Sequence, residues 1–493
     1  MNNIDNNKII ILFFLIFLTI ILTPLLFGKV LYKGNFKGSF FERYYLADRK
    51  VSGIILAITL MSTYGSASTF LSGPGIAYKL GLGWVLLAVI QVTAGYFVLL
   101  VLARRFQNIA KKINAITITD YLKYRYKSKI LANISAIAMI AFLLAAMSAQ
   151  WIGGAKLLSA LLNIEYKTGI LIISIIILFC VVFGGLKNIL ITDMIQGLIM
   201  IFATIILFIS IIKFGGGINS IMQNLYNQNP NLLTPYGVDK SLTSIYVSSF
   251  WVLVGVGLVG IPQIAINSML YKNNRSLKQS IIIGTIVIFI VMFGVHFIGV
   301  ISRGVFPDIT DYDSVIPIVT LRMLPWYLVA IVLSAPMAAI ITTVNAQFLL
   351  VSSTLVKDIL LNINLIRNKV TEKKIPLLVY VVNLLIILLA IMLSITPPSL
   401  IVEINLFAFG GLEVTFLWPI ILGLYWKKAE KYGAFSSTIV GLVSYIIFKR
   451  ICKITFIEPV VISLFLSFIV FLIISNLCYN RLKDKNFNYG GYK

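Results

Sequence analysis

The chain is poor in charge and in the residues that usually carry chemistry. Only 12% of its 493 residues are charged, with 17 acids, one histidine and three cysteines. Cys180, Cys452 and Cys478 are widely separated, with no CxxC pair and no histidine beside them, so zinc, redox work and a disulfide framework find no support. No GxxxxGK[ST] loop and no nucleophile–base pairing is present, which removes the basis for an enzyme or an ATP-driven pump. What remains is apolar: 59% hydrophobic residues and a mean hydropathy of +0.98. Soluble domains could not cover that much apolar surface, so the chain reads as an all-α polytopic membrane protein.

A spanning helix needs about 20 apolar residues. Thirteen such runs are legible: 9–28, 52–73, 83–103, 131–161, 168–186, 189–212, 243–270, 279–302, 325–356, 375–396, 399–425, 432–449 and 456–479. The first resembles a secretory signal but is long and lacks a small-residue cleavage site, so it is kept as a permanent span. The formal charge of +24 would suggest nucleic acid as a partner in a soluble protein; here lysine and arginine placement accounts for it. Of the 41 basic residues, 30 fall on alternate connections beginning with 29–50 and 104–129 and ending with the tail. That side is expected to be cytoplasmic, which puts the N-terminus outside and the C-terminus inside. Lys449, Arg450 and Lys453 run against this pattern and weaken it at the last two spans. No soluble domain is expected: 1–493 is one integral membrane unit. An external cluster of Asp308, Asp311 and Asp313 is either a solvated loop or a cation-attracting vestibule.

Several spans depart from uniform apolarity. The second carries Ser62, Thr63, Gly65, Ser66, Ser68, Thr69 and Ser72, then Gly73-Pro74-Gly75. Small hydroxyl residues suit close helix packing. Mid-span glycine equally permits unwinding, which is tolerated at membrane depth only where backbone is buried or lines a cavity. The seventh carries Gly255, Gly257, Gly260 and Pro262, and proline disfavours helix at Ile261. Two interrupted spans five apart suggest inverted repeats with a site between them. In the ninth, Ala339, Thr342 and Thr343 share a helical face. Their hydroxyls either bond back to the preceding turn or join carbonyls freed in the second span, an oxygen-only set suited to a hard monovalent cation such as sodium. Asp193 and Glu413 are intramembrane acids, by default functional or paired; Glu403 falls near the outer face. His296 sits in an apolar run, where plain packing outweighs a relay role.

Stretches 72–91, 183–197, 248–266, 303–309, 334–347, 357–363 and 406–426 carry a resemblance to the solute:sodium symporter family, extending over about residues 40–450. Two of them, 72–91 and 334–347, resemble its pantothenate branch. The resemblance implies a leucine-transporter-like core of two inverted five-helix repeats (51–212 and 243–426). Residues 1–50 would form a first span and cytoplasmic loop, and 427–493 two peripheral spans and a tail. It implies sodium-coupled uptake by alternating access in a bacterial plasma membrane, with Na+ as coupling ion and no cofactor. Carried over by position, the sodium ligands would be the carbonyls of Ser62, Gly65 and Ala339 and the hydroxyls of Thr342 and Thr343, with Asp193 nearby. Some family members have an aspartate where Tyr64 stands, so a charge-assisted role there is absent. A solute with a carboxylate, an amide and two hydroxyls needs hydrogen-bonding partners; Tyr64, Ser66, Ser68, Gln150, Trp251, Gln263 and Asn345 are the candidates. Expected partners are pantothenate or a similar small organic anion, sodium and the bilayer, with no nucleic acid and no obligate protein partner. The alternatives are a symporter of proline, a sugar or a monocarboxylate, a passive channel, and a membrane-embedded sensor.

Overall fold

The computed structural model describes residues 7–17, 19, 45, 51–182, 186–368, 370–371, 374–396 and 400–482. Among these the chain is helical, with no strand beyond one isolated bridge. The helices are α1 (Asn7–Phe17), α2 (Gly53–Tyr64), α3 (Ser68–Leu80), α4 (Leu82–Lys112), α5 (Ile118–Tyr126) and α6 (Lys129–Leu162). They continue with α7 (Tyr166–Val182), α8 (Leu186–Phe214), α9 (Ile218–Gln228), α10 (Ser244–Gly260), α11 (Pro262–Met269) and α12 (Asn274–Val305). The last are α13 (Val315–Met323), α14 (Trp326–Asn362), α15 (Ile375–Ser394), α16 (Ile401–Tyr425), α17 (Lys431–Ile451) and α18 (Pro459–Leu482).

Nine of these helices are long and apolar enough to cross a membrane, and two bent pairs bring the number to eleven. The other two expected spans coincide with shorter apolar helices. Tyr166–Phe179 is one; Asn7–Phe17 is the other, and most of 9–28 lies outside the described residues. Exposed apolar side chains such as Leu100, Ile137, Phe202, Ile282, Leu377 and Phe465 give the bundle a lipid-compatible belt. Inside it, α14 and α16 are the most enclosed spans, and α17 and α18 are among the least.

Both interruptions read in the sequence are breaks in the structure. Between α2 and α3 the chain turns by 70°; Gly65 is extended at φ −64, ψ 126. Between α10 and α11 it turns by 57° at Ile261, held extended (φ −88, ψ 112) ahead of Pro262. Glycines let the backbones meet tightly here. A Cβ on Gly75 would overlap the Tyr312 carbonyl, and one on Gly299 the Pro74 carbonyl, so the connection at Tyr312 and helix α12 close directly on the Gly73-Pro74-Gly75 segment. Gly81, at φ +86, makes the α3–α4 turn against Leu232.

At the opposite end, the Val51 amide donates to the Leu270 carbonyl and the Lys272 amide to the Val51 carbonyl, both at 3.1 Å. This bridge joins the start of α2 to the end of α11. Helix α5 lies on the same face. Thr117 and Asp120 cap it as a reciprocal pair, Asp120 forms an ion pair with Lys357 at the end of α14, and Arg125 donates to the Gly423 carbonyl of α16 at 2.7 Å. Near Tyr312 the three aspartates are each engaged: Asp308 with Arg322 (2.8 Å), Asp311 with Ser314 (2.5 Å), and buried Asp313 with Lys156 (2.5 Å). The Arg322 guanidinium holds the Asp308 carboxyl below its usual range.

Candidate ion and solute site

The break in the second span redirects its hydrogen bonds. An unbroken helix would satisfy the carbonyls of Ser62 and Thr63 with the amides of Ser66 and Ala67. Those amides turn elsewhere: Ser66 to the Thr69 hydroxyl at 3.3 Å, Ala67 to Gln150 Oε1 at 2.9 Å. The freed carbonyls face α14. Thr342 Oγ1 donates to the Ser62 carbonyl at 2.7 Å and lies 3.1 Å from the Ala339 carbonyl. Thr343 Oγ1 donates to the Gly65 carbonyl at 2.6 Å and reaches that of Thr63 at 3.4 Å. Carbonyl oxygens of Ser62, Gly65 and Ala339 and two hydroxyls thus converge where two spans cross, all on buried residues. A hydroxyl turns its lone pair toward a cation simply by rotating its hydrogen away. The set is neutral and all oxygen, chemistry suited to a hard monovalent ion. Among the described residues no group of three His, Cys, Asp or Glu side chains offers a metal site.

Asp193 is buried on α8, with Oδ1 lacking a hydrogen-bond partner. Further along α8, Met200 approaches Gly65, its sulfur 3.6 Å from where a Cβ would stand. Seven residues of helix put Asp193 about 10 Å away from that level along the axis, on the Val51 side.

Next to the break lies a narrow cavity of about 30 Å³. Tyr64, Ser66, Ser68 and Thr69 line it from the broken span, Trp84 and Gln91 from α4, Phe250 and Val254 from α10, His296 from α12, and Asn405 and Phe409 from α16. Its polar groups are specific. The Tyr64 hydroxyl donates to Gln91 Oε1 at 2.8 Å. Trp84 Nε1, a donor, and Asn405 Oδ1, an acceptor, are buried without a protein hydrogen-bond partner. His296 Nδ1 lies 2.7 Å from the Met292 carbonyl and therefore carries the proton, leaving Nε2 as an acceptor beside Gly73.

Of the seven solute contacts expected, Tyr64, Ser66 and Ser68 line this cavity. Gln150 acts one step behind it, holding the Ala67 amide. Gln263 and Asn345 are buried with unpartnered oxygens on α11 and α14, away from the cavity wall. Trp251 is 54% exposed and points out of the bundle. Phe250 and Val254, spaced i and i+4, form the inward face of α10 here, and Trp251 falls beside it toward the outside. Trp84, Gln91, Asn405 and Phe409 were not singled out by the sequence. His296 was read as packing, yet the Gly73-Pro74-Gly75 run was its signal, since a Cβ on Gly73 would overlap Nε2.

A helical bundle with two broken spans, an oxygen cluster where the second span crosses α14 and an adjacent, partly polar cavity has the architecture of a membrane transporter. The Sodium:solute symporter family model matches residues 44–441, and the chain belongs to that family, which uses Na+ as its coupling ion. It is 42% identical over 448 residues to a sodium/pantothenate symporter of Haemophilus influenzae (91% of this chain, 92% of that protein). With the sodium/pantothenate symporter of Escherichia coli it is 41% identical over 440 residues (88% and 90%). It shares 26% identity over 441 residues with the osmoregulated proline transporter OpuE of Bacillus subtilis (88% of each chain). Among solved structures, a substrate-bound outward-open Na+-coupled sialic acid symporter superposes with a TM-score of 0.77 at 16% identity, covering 96% of this chain and 97% of that one. Mhp1, a nucleobase-cation-symport-1 family transporter in a closed conformation, gives 0.58 at 14% identity (91% and 96%). The fold is therefore the leucine-transporter type.

Proposed function

We propose that this chain carries pantothenate into the cell together with sodium, by alternating access across a bacterial plasma membrane. Identity of 41–42% along nine-tenths of the chain to two sodium/pantothenate symporters is the observation that carries the solute; the convergence of Thr342 and Thr343 on the freed carbonyls of the second span carries the ion. Sodium is held by the carbonyls of Ser62, Gly65 and Ala339 and the hydroxyls of Thr342 and Thr343, with Asp193 on its route toward the cytoplasm. Sodium there orders the α2–α3 break, and that break supplies Tyr64, Ser66 and Ser68 to the solute cavity. Trp84 Nε1 suits the solute's carboxylate or a carbonyl oxygen, and Asn405 Oδ1 and His296 Nε2 suit its hydroxyls and amide N–H. The two broken spans belong to inverted repeats 51–212 and 243–426, with the N-terminus outside and the C-terminus in the cytoplasm.

Labelled pantothenate uptake into proteoliposomes, with and without an inward sodium gradient, tests this. Accumulation only with the gradient, undiminished by excess proline, is the expected result. Equal uptake without sodium, or displacement by proline, overturns it.

A further inference from the structure

One buried acid plays no part in either site. Glu413 sits on α16, one turn beyond the cavity-lining Phe409, with no exposure and no hydrogen-bond partner for either carboxyl oxygen. It lies at the break of the seventh span. A Cβ on Gly257 would overlap Glu413 Oε2 and come within 2.6 Å of the Val252 carbonyl, and one on Gly260 would approach the Glu413 Cα at 3.0 Å. The two glycines thus let irregular α10 backbone rest directly on this carboxyl.

Among the described residues no cation is paired with it. Residues 251–265 of α10 and α11 contain no titratable side chain, nor does α6 between Lys129 and Lys156. Its electrostatic neighbours are Tyr64 of α2, Tyr445 of α17 and Glu458 at the head of α18. Lys449 is paired with Glu458 at 3.2 Å, and Arg450 stacks over the Phe407 ring at 4.3 Å. Arg105 and Arg125 meet the far end of α16, at the carbonyls of Leu424, Gly423 and Trp426 and at the Tyr425 ring, about 15 Å further along the helix. An ionised carboxylate so enclosed is strongly disfavoured. Sodium needs a shell of oxygens, and the Val252 carbonyl beside Gly257 is already taken by the Gly257 amide; a proton needs only the carboxyl itself.

We propose that Glu413 is a proton site coupled to transport. The carboxyl takes a proton from the external side, holds it while α10 rests on α16, and releases it to cytoplasmic water when α10 moves away. One proton then enters with sodium and the anionic solute. This rests on the sodium-coupled uptake proposed above. It gives the cycle a net inward positive charge even with a single sodium.

The test uses proteoliposomes of the full chain with equal sodium on both sides, the potential clamped by valinomycin and equal potassium, and an imposed pH gradient of about one unit, roughly 6.5 outside and 7.5 inside. A carboxyl of ordinary pKa near 4.3 stays ionised throughout, and empty liposomes set the passive background. One proton per solute drives about tenfold accumulation. The wild type is expected to show it. Glu413→Gln, which mimics the protonated acid, is expected to lose it while a sodium gradient still drives uptake. A wild type indifferent to the pH gradient, or a Gln variant that keeps the response, overturns the proposal. Where the Gln variant loses both responses, alkalinisation of weakly buffered medium on adding solute to the wild type decides: about one proton per solute sustains the site, none overturns it. A wild type that ignores the sodium gradient refutes the uptake reading instead, and is distinguishable by that arm alone.

Discussion

Replacing Thr343 by valine preserves the branched shape of the side chain and removes the oxygen that meets the Gly65 carbonyl at 2.6 Å. Thr343 is buried, so no bulk water takes the vacated place. In the sodium-bound state the loss is that of one ligand in five. An interaction of a polar group with a charged partner contributes about 1.5–3 kcal/mol, and each 1.4 kcal/mol is a factor of ten. The sodium concentration for half-maximal uptake should therefore rise about 10- to 100-fold, with the solute KM at saturating sodium little changed. Thr342→Val should act in the same direction, having lost its contact with the Ser62 carbonyl. The double variant should cost less than the sum, because both groups serve one ion. Thr343→Ser keeps the hydroxyl and should stay within about threefold of wild type. Initial rates of labelled solute uptake against sodium concentration, at constant ionic strength, measure all four. Functional Thr342→Val and Thr343→Val proteins with unaltered sodium dependence would refute the ion site.

Other consequences follow from the same geometry. Gln150→Leu strips the Ala67 amide of its acceptor; it should cost about 1–3 kcal/mol of stability, read as a lowered unfolding temperature that sodium partly restores. Asn405→Leu fills the cavity wall and removes an unpartnered acceptor; the KM for solute should rise about tenfold or more with sodium half-saturation unchanged, as uptake kinetics show. Gly73→Ala drives a methyl into His296 Nε2; uptake should fall at least about tenfold, and His296→Ala in the same chain should recover part of it if that overlap is the cause.

The features legible in sequence were those written locally into the backbone. Gly65 and Pro262 mark the two breaks because glycine and proline alter what the chain itself can do. Thr342 and Thr343 were legible because hydroxyls adjacent in an apolar helix share a face with Ala339. Trp84, Gln91 and Asn405 were not: each belongs to an otherwise ordinary apolar stretch, and only the packing of α4 and α16 around the break gives them a common cavity. Trp251 was missed for a different reason: which face of α10 turns inward, that of Phe250 and Val254, is set by packing and not by the residue's own chemistry. The span count depended on the length of apolar runs alone, and Tyr166–Phe179 is shorter than a full span.

The small bridge between Val51 and Tyr271 has a mechanical meaning. Two backbone hydrogen bonds lash the foot of one kinked rod to the foot of the other, and Gln107 adds a third tie by donating to the Tyr271 carbonyl at 2.7 Å. Rods fastened at the base swing as a single lever against the neighbouring α14 and α16. On the sodium-coupled uptake proposed above, gates built on such a lever would open in concert, and neither passenger would have a private door.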